Sequence, residues 1–345
     1  MSRQAELGND TGMRAERDEL RQISDLLGQQ KEEIAHLRHL LENVLSSQLA
    51  AMLHASSPHF RRNTLPNDSS ATQRLLQSVW KTRSSDILGP EDLLESGFRV
   101  FSQGDEDGII LRVFQQIGTT NKIVVEIGSN CDNSDIGIPE NLSSNLIVNH
   151  SWGGFIFELD ETECRRMRHF FAQELSTKHF HSETYSDGYF SPRIIQGAVS
   201  PDSIQDIFCN IVQCNEPDLF VIDIDGGDFA IVENLQSFRP RVVVVEFEKR
   251  FRDKHSVVQR SRADFSKLFP QSGAASLPAW AKLMSSFGYV LVSIGMSGFN
   301  AFFVRSDIAD GKLRAASAAE VFDSHPILAR AESLWIEPDD SWELY

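Results

Sequence analysis

The chain has 345 residues, of which 41% are hydrophobic and 24% are charged, and its formal net charge is −16 with neutral histidines. This length suits one large domain or two ordinary ones, and the composition is that of a globular protein. The acidic balance argues against a nucleic-acid-binding protein, because such affinity comes largely from Lys and Arg side chains that neutralise phosphates. No apolar run approaches the roughly 20 residues that cross a bilayer. Since the first ten residues also lack the pattern of a signal peptide, we expect a cytoplasmic protein.

Four cysteines, at positions 131, 164, 209 and 214, form no CxxC pair. Two interpretations are open, namely ordinary thiols of a reducing compartment and a metal or disulfide site. The absence of paired spacing favours ordinary thiols.

The first 54 residues predict a long amphipathic helix. From about Ala15 to Leu53 there is no proline and one glycine, and apolar residues recur at steps of three and four. This pattern predicts a coiled coil that joins copies of the chain into a homo-oligomer, with packing of the helix on its own domain as the alternative. Turn formers and polar residues follow, and residues 55–70 are interpreted as a linker. The apolar positions are Leu20, Ile23, Leu27, Ile34, Leu37, Leu41 and Val44.

Beyond the linker, short β-branched runs alternate with helical segments. Near-continuous apolar strands separated by helices predict a doubly wound, Rossmann-like α/β fold with a mostly parallel sheet, which we assign to residues 71–314. The last two strands are so close in sequence that they predict an antiparallel hairpin, and residues 315–345 are interpreted as C-terminal helices and an acidic tail. The predicted strands are Lys122–Ile127, Gly154–Glu158, Ile194–Val199, Asp218–Ile224, Arg241–Phe247, Tyr289–Ile294 and Ala301–Arg305.

Ligands of doubly wound sheets bind beyond the carboxyl ends of the strands, so the residues that end each strand are the candidate site. Gly128 permits a tight turn after the first strand, and the nearby Glu126 can accept a hydrogen bond from a ligand amine. Glu158 ends the second strand, where a carboxylate can accept hydrogen bonds from both hydroxyls of a ribose. Asp160 either joins it or caps the following helix.

The fourth strand ends in the segment DIDGGD, which places Asp223, Asp225 and Asp228 within six residues. Such crowded carboxylates are costly unless they are solvated, paired with cations or bound to a ligand, so this segment is a candidate functional site. The fifth strand brings Glu246 and Glu248 to the same edge of the predicted sheet.

The order of these segments resembles class I S-adenosylmethionine-dependent methyltransferases, and most closely their FkbM-like branch. The resemblance spans about residues 122–308 and rests on the ExG strand, the FxE strand, the DIDGxD strand, PRVVVVE, GAASLPAW and GFNAFFVR. It implies S-adenosylmethionine as the cofactor. It also implies O-methylation of a sugar, a glycan or another small polar acceptor.

Carried to this chain, the resemblance implies that Glu126, Gly128 and Ser129 contact the methionine part of the cofactor and that Glu158 holds the ribose. It places Ala198 and Val199 beside the adenine, Asp223 and Asp225 near the methyl group and the acceptor, and Asn300 and Phe302 near the end of the sheet. By position we expect Asp225 to act as general base, with Asp228, His150 and His255 as further candidates. A divalent cation bridging Asp225, Asp228 and Glu246 is the alternative means of activating the acceptor.

The segment after the first strand departs from the family pattern, because residues 129–140 replace its glycine-rich continuation and only Gly137 could supply the second glycine. Glu158 also lies 32 residues after Glu126, against about 20 in a compact unit. An insertion in this loop is the simplest account. It favours the alternative function, a catalytically inactive methyltransferase-like scaffold that assembles a glycan-synthesis complex through its coiled coil. A dehydrogenase would need GxGxxG after the first strand, which the chain lacks.

Overall fold

The computed structural model describes residues 28, 30, 31, 34 and 37 and the ranges 68–82, 86–132, 137–174, 192–235, 238–259, 274–331 and 335–345. Most of the predicted coiled coil and linker lies outside these residues. The five described residues before position 68 are helical, and Ile34 and Leu37 of the heptad pattern are exposed.

The described strands are numbered in chain order as β1 (Ile123–Ile127), β2 (Asn130–Cys131), β3 (Pro139–Glu140), β4 (Gly153–Glu158), β5 (Arg193–Gln196), β6 (Leu219–Ile222), β7 (Val242–Glu246), β8 (Val257–Gln259), β9 (Tyr289–Ile294), β10 (Asn300–Arg305) and β11 (Trp342–Leu344). The described α-helices are α1 (Asp68–Lys81), α2 (Pro90–Glu95), α3 (Glu106–Ile117), α4 (Ser144–His150), α5 (Glu161–Gln173), α6 (Ile204–Ile207), α7 (Asp228–Glu233), α8 (Leu277–Ser286), α9 (Ser306–Ala309) and α10 (Ala318–Ser324). A π-helical turn, Phe208–Val212, continues α6, and two short 3₁₀ turns cover Lys249–Phe251 and Leu328–Arg330.

Seven strands form the central sheet in the order β5-β4-β1-β6-β7-β10-β9. Strand β1 pairs in parallel with both β4 and β6, so that Val125 lies between Phe155 and Phe220. Strand β10 runs antiparallel to β7 and β9, which places the predicted hairpin at one edge. The predicted doubly wound, mostly parallel α/β fold is therefore confirmed. The chain leaves β1 in one direction along the sheet and returns at β6 on its other side, which makes β1 and β6 the switch point.

Apolar side chains cover both faces of this sheet. Along β1, Val125 and Ile127 pack into the cluster on one face, whereas Val124 packs into the cluster on the other, and all three are at most 1% exposed. Burial of alternate residues on opposite faces explains why the strands read as continuous apolar runs rather than as alternating ones. The core thus holds the strand ends of the sheet in fixed register.

The C-terminal residues pack on the same compact unit, which spans residues 66–345. Val321 and Phe322 of α10 are buried in the core, and β11 pairs antiparallel with β8. Helix α1 begins at Asp68, within the segment that the sequence suggested as a linker. Among the described helices, none is long and apolar enough to cross a membrane.

Candidate active site

A cavity of about 760 Å³ opens at the carboxyl ends of the parallel strands, at the switch point between β1 and β6. Its volume is typical of small-molecule sites, which span roughly 300–1,000 Å³. Its walls come from the ends of β1, β4, β5, β6 and β7 and from the start of β10. The sequence-predicted residues that line it are Glu126, Gly128, Ser129, Glu158, Ala198, Val199, Asp223, Asp225, Glu246 and Asn300.

The loop after β1 is held by side chains that bond to main-chain donors. Glu126, which is 2% exposed, accepts hydrogen bonds from Leu142 N at 2.9 Å and Ser143 N at 3.1 Å. Burial raises the pKa of Glu126 to about 7. The Ser129 hydroxyl accepts from Asn141 Nδ2 at 2.8 Å. Both residues therefore brace the wall formed by residues 141–143.

Gly128 has a φ of +81°, a conformation that side chains disfavour. A Cβ at this position would collide with the main-chain oxygen of Asp223. The glycine is therefore required by the close approach of the β1 loop to the β6 loop, and this contact brings the two loops together at the cavity.

Glu158 ends β4 and lines the cavity, as predicted. Its Oε2 accepts from Ser129 N at 3.0 Å and its Oε1 accepts from Asp160 N at 2.7 Å. Each carboxylate oxygen can accept a second hydrogen bond, so the group keeps capacity for two ligand hydroxyls. Asp160 does not line the cavity. Its Oδ1 accepts from Thr162 N at 2.6 Å and Glu163 N at 3.1 Å, which is the helix-cap role left open by the sequence.

The DIDGGD loop after β6 separates its three carboxylates. Asp225 is exposed in the cavity and has a φ of +56°, which aspartate tolerates better than most residues. Asp228 is 1% exposed and does not line the cavity, because its two oxygens accept from Ile224 N at 2.9 Å and Gly226 N at 3.0 Å. Burial raises the pKa of Asp228 to about 6. The loop thus presents Asp225 to the cavity and uses Asp228 as an internal brace.

Three carboxylates converge on one point of the cavity. Asp223, Asp225 and Glu246 each offer an oxygen, and these oxygens lie within 4.8 Å of one another. Burial and then mutual repulsion raise the pKa of both Asp223 and Glu246. Glu246 Oε2 is buried and has no hydrogen-bond partner in the described structure. Like charges at this distance favour either a shared proton or a bound cation.

Other predicted residues lie elsewhere. Glu248 is buried in an ion pair with Arg250, at 2.6 Å. His150 precedes β4 and so lies at the amino ends of the parallel strands, where its Nε2 is 2.7 Å from Gln73 Oε1. His255 Nε2 is 3.0 Å from the carboxylate of Glu337. Phe302 is buried in the core. All four cysteines are free thiols, as the spacing suggested.

The unusual segment after β1 forms a short hairpin, in which β2 pairs with β3, and it is followed by α4. This hairpin accounts for the long spacing between Glu126 and Glu158. Gly137 packs against the Arg166 side chain and does not line the cavity. The sequence did not indicate several lining residues from this region and beyond, because neither the 129–140 segment nor GFNAFFVR shows which of its side chains face the cavity. They are Gln103, Asn130, Glu140, Asn141, Leu142 and Phe299.

No protein-family model matches the sequence, and no curated protein matches it. Among solved structures, the chain is similar to an O-methyltransferase from Bacillus cereus in complex with S-adenosylhomocysteine, at 13% identity over 74% of this chain and 95% of that one, with a TM-score of 0.35. It is also similar to the magnesium protoporphyrin IX methyltransferase from Synechocystis PCC 6803 with bound S-adenosylmethionine, at 12% identity over 53% and 69% of the two chains and a TM-score of 0.31. An O-methyltransferase family protein from Burkholderia thailandensis gives 10% identity, coverages of 68% and 70%, and a TM-score of 0.31.

Proposed function

We propose that this chain is an S-adenosylmethionine-dependent methyltransferase that transfers the methyl group to an oxygen of a sugar or another small polar acceptor. The observation that carries the proposal is the cavity at the switch point, where Glu158 from one strand end and the Asp223, Asp225 and Glu246 cluster from two others line the same space. A cavity lined by carboxylates suits a cofactor that carries a positive sulfonium.

The residues of the cavity fit this cofactor. Glu158 would accept the two ribose hydroxyls, and Phe157, Ala198 and Val199 offer apolar surface next to it for the adenine. Glu126 and Ser129, whose bonds are internal, would act by holding the wall at residues 141–143. When bound, the cofactor supplies an electrophilic methyl group, and the task of the protein is to align the acceptor with it.

The acceptor hydroxyl needs to lose a proton, and the exposed Asp225 is the proposed general base. Asp228 keeps its neighbours Ile224 and Gly226 in place and so positions Asp225. A divalent cation is the second means of activation that the cluster could use. The carboxylates suited to it are Asp223, Asp225 and Glu246, because their oxygens lie close together and carboxylate oxygens are the ligands that Mg²⁺ prefers. Asp228, which the sequence suggested as a ligand, is not among them, because its oxygens accept hydrogen bonds from main-chain amides.

Titration calorimetry with S-adenosylhomocysteine tests the cofactor directly. We expect one molecule bound per chain, and the absence of binding by folded protein would overturn the proposal. Repeating the titration with Mg²⁺ or Mn²⁺ tests the cation. Binding of the metal by the wild type that Asp223→Asn and Glu246→Gln both abolish would support the cation site, and metal binding unchanged by either would contradict it.

A non-catalytic scaffold is the second candidate function, and the internal bonds of Glu126 and Ser129 favour it, because these side chains need no ligand to be satisfied. Incubation with S-adenosylmethionine and a panel of sugars, glycans and small alcohols separates the two functions. Acceptor-dependent formation of S-adenosylhomocysteine identifies the enzyme, and cofactor binding without turnover across the panel favours the scaffold.

Both functions include assembly through the N-terminal helix. Ile34 and Leu37 are 65% and 63% exposed, although both belong to the apolar heptad pattern. Exposed apolar residues at this spacing favour contact with a second copy of the helix. Light scattering on an Ile34→Glu/Leu37→Glu variant should give a monomer where the wild type gives an oligomer, and a monomeric wild type would contradict this assembly.

A further inference from the structure

Two further cavities lie at the amino ends of the parallel strands, at the opposite ends from the acidic cluster. The first, of about 430 Å³, is lined by Lys122 and Trp152, which directly precede β1 and β4. The second, of about 620 Å³, extends to Gly311 and Lys312. Because both cavities are lined by Arg74, Gln77 and Gln115, they adjoin at these residues, and we call the two together the basic trough.

The charge of the basic trough is opposite to that of the chain. Its lining includes Arg74, Lys81, Lys122 and Lys312, and among the described lining residues there is no Asp or Glu. The chain as a whole has a net charge of −16, so four basic side chains with no carboxylate between them make this surface locally positive on an acidic protein. Unpaired cations that repel one another lower the stability of a fold, so their grouping indicates a ligand that neutralises them.

Within the described part of the chain, no other side chain forms a hydrogen bond or an ion pair with these four basic groups. Lys122 Nζ donates only to the main-chain oxygen of His150, at 3.2 Å, and Lys312 Nζ only to that of Ile117, at 3.5 Å. None of the four forms an ion pair with a described carboxylate. Asp218, which holds the turn before β1, is buried and accepts hydrogen bonds from three main-chain amides and Arg241. The positive charge of the trough is therefore available to a ligand.

Neutral donors and apolar surface complete the trough. Gln115 Oε1 accepts a hydrogen bond from the Arg112 guanidinium. The amide nitrogen of Gln115 donates to no described residue and can donate to a ligand. Phe114 and Trp152, whose ring centroids are 4.8 Å apart in an edge-to-face arrangement, line the same cavity as Arg74 and Lys122. Arg74 and Lys122 also act together on His150, whose pKa is lowered first by burial and then by these two charges. The two cations therefore act on one small region.

We propose that the basic trough binds a small molecule that carries a phosphate or diphosphate group. A guanidinium shared by two adjoining cavities, with ammonium groups in each, matches the several oxygens of a phosphate or diphosphate, which Arg binds in a fork and Lys as a point charge. The net charge of −16 opposes a long polyanion such as a nucleic acid, whose contacts would reach beyond the trough to acidic surface. This site is independent of the methyl-transfer cavity.

Titration calorimetry with pyrophosphate, at constant ionic strength, tests the site on the full-length protein. We expect one site per chain, and an Arg74→Gln/Lys122→Gln variant should bind at least about tenfold more weakly, since charge-assisted contacts are lost. The matched control is Lys254→Gln/Arg330→Gln, which removes the same charge from two exposed residues outside the trough. The control should bind within about twofold of the wild type.

Several outcomes would overturn the proposal. They are the absence of pyrophosphate binding to the wild type, an equal loss of affinity in the control variant, and equal affinity for citrate, which would show attraction to charge without preference for phosphate. Tighter binding of a single-stranded oligonucleotide than of pyrophosphate would also overturn it. Because exposed residues are replaced, the melting temperature of neither variant should fall below that of the wild type. A Lys81→Gln/Lys312→Gln variant supplies a second test, with an expected loss of several-fold.

Discussion

The central sheet carries opposite charge at the two ends of its parallel strands, which we call the carboxyl edge and the amino edge. At the carboxyl edge, the described lining of the large cavity holds six carboxylates and no Lys or Arg. At the amino edge, the described lining of the basic trough holds four Lys or Arg side chains and no carboxylate. The net charge of −16 is therefore not a uniform property of the surface. One sheet thus presents an acidic lining at one end of its strands and a basic lining at the other, and the two linings suit ligands of opposite charge.

The largest expected effect concerns the proposed catalysis at the carboxyl edge. Once an acceptor is found, Asp225→Asn should lower kcat by about 100-fold or more, because general-base catalysis contributes about 10²–10⁴-fold. The rate of S-adenosylhomocysteine formation measures this effect. Asp310→Asn, an exposed aspartate outside the cavity, is the matched control and should keep the wild-type rate. Wild-type turnover by Asp225→Asn would remove this residue from the mechanism.

Cofactor affinity should change next most strongly. Glu158→Ala removes a carboxylate that would accept two ribose hydroxyls, and we expect S-adenosylhomocysteine to bind about 10–100-fold more weakly by calorimetry, in line with about 1.5–3 kcal/mol for charged hydrogen bonds. Glu95→Ala, which removes an exposed carboxylate elsewhere, should bind as the wild type does. Unchanged affinity in Glu158→Ala would show that the cofactor, if bound, lies elsewhere.

The dependence of stability on pH should differ between the edges. At the carboxyl edge, burial raises the pKa of Glu126 to about 7, so the folded state holds a proton that the unfolded chain has lost. Its stabilisation is present below pH 4.5 and disappears as the pH rises through 7. At the amino edge, burial lowers the pKa of His150 to about 4, so that stability is lost as the pH falls below 6.5.

Between pH 6.5 and 8 the raised pKa values at the carboxyl edge dominate, because those of Asp223 and Glu246 act in the same direction as that of Glu126. The free energy of unfolding of the wild type should therefore fall over this range, with about 1 kcal/mol of the fall due to Glu126. Urea denaturation at both pH values measures it. In Glu126→Gln the fall should be smaller by that amount, even if the variant is less stable at every pH. An identical fall in the wild type and the variant would contradict a raised pKa.

The smallest effects test the independence of the edges. Arg74→Gln/Lys122→Gln should bind S-adenosylhomocysteine within about twofold of the wild type, and Glu158→Ala should bind pyrophosphate within the same limit, because exposed charges far apart are screened by salt. Calorimetry with each ligand in each variant completes the comparison. A larger change in either direction would indicate that the two sites are coupled.

The amino-acid sequence is sufficient to predict the strands of the sheet and the hairpin, because strand periodicity and turn residues act locally. Strands β9 and β10 match their predicted ranges to within one residue, whereas β5 ends at Gln196, three residues before the predicted Val199. It also determined that acidic residues follow the strand ends, since parallel strands bring their carboxyl ends to one edge.

Which of those acidic residues face the cavity depends on the tertiary structure. Asp225 and Asp228 are three residues apart, yet one is exposed in the cavity and the other is bound to main-chain amides. The basic trough joins Arg74, Lys122 and Lys312, which are distant in the chain, so no local pattern could predict it. Side-chain direction and long-range proximity depend on how loops and helices pack, and these are properties of the folded chain.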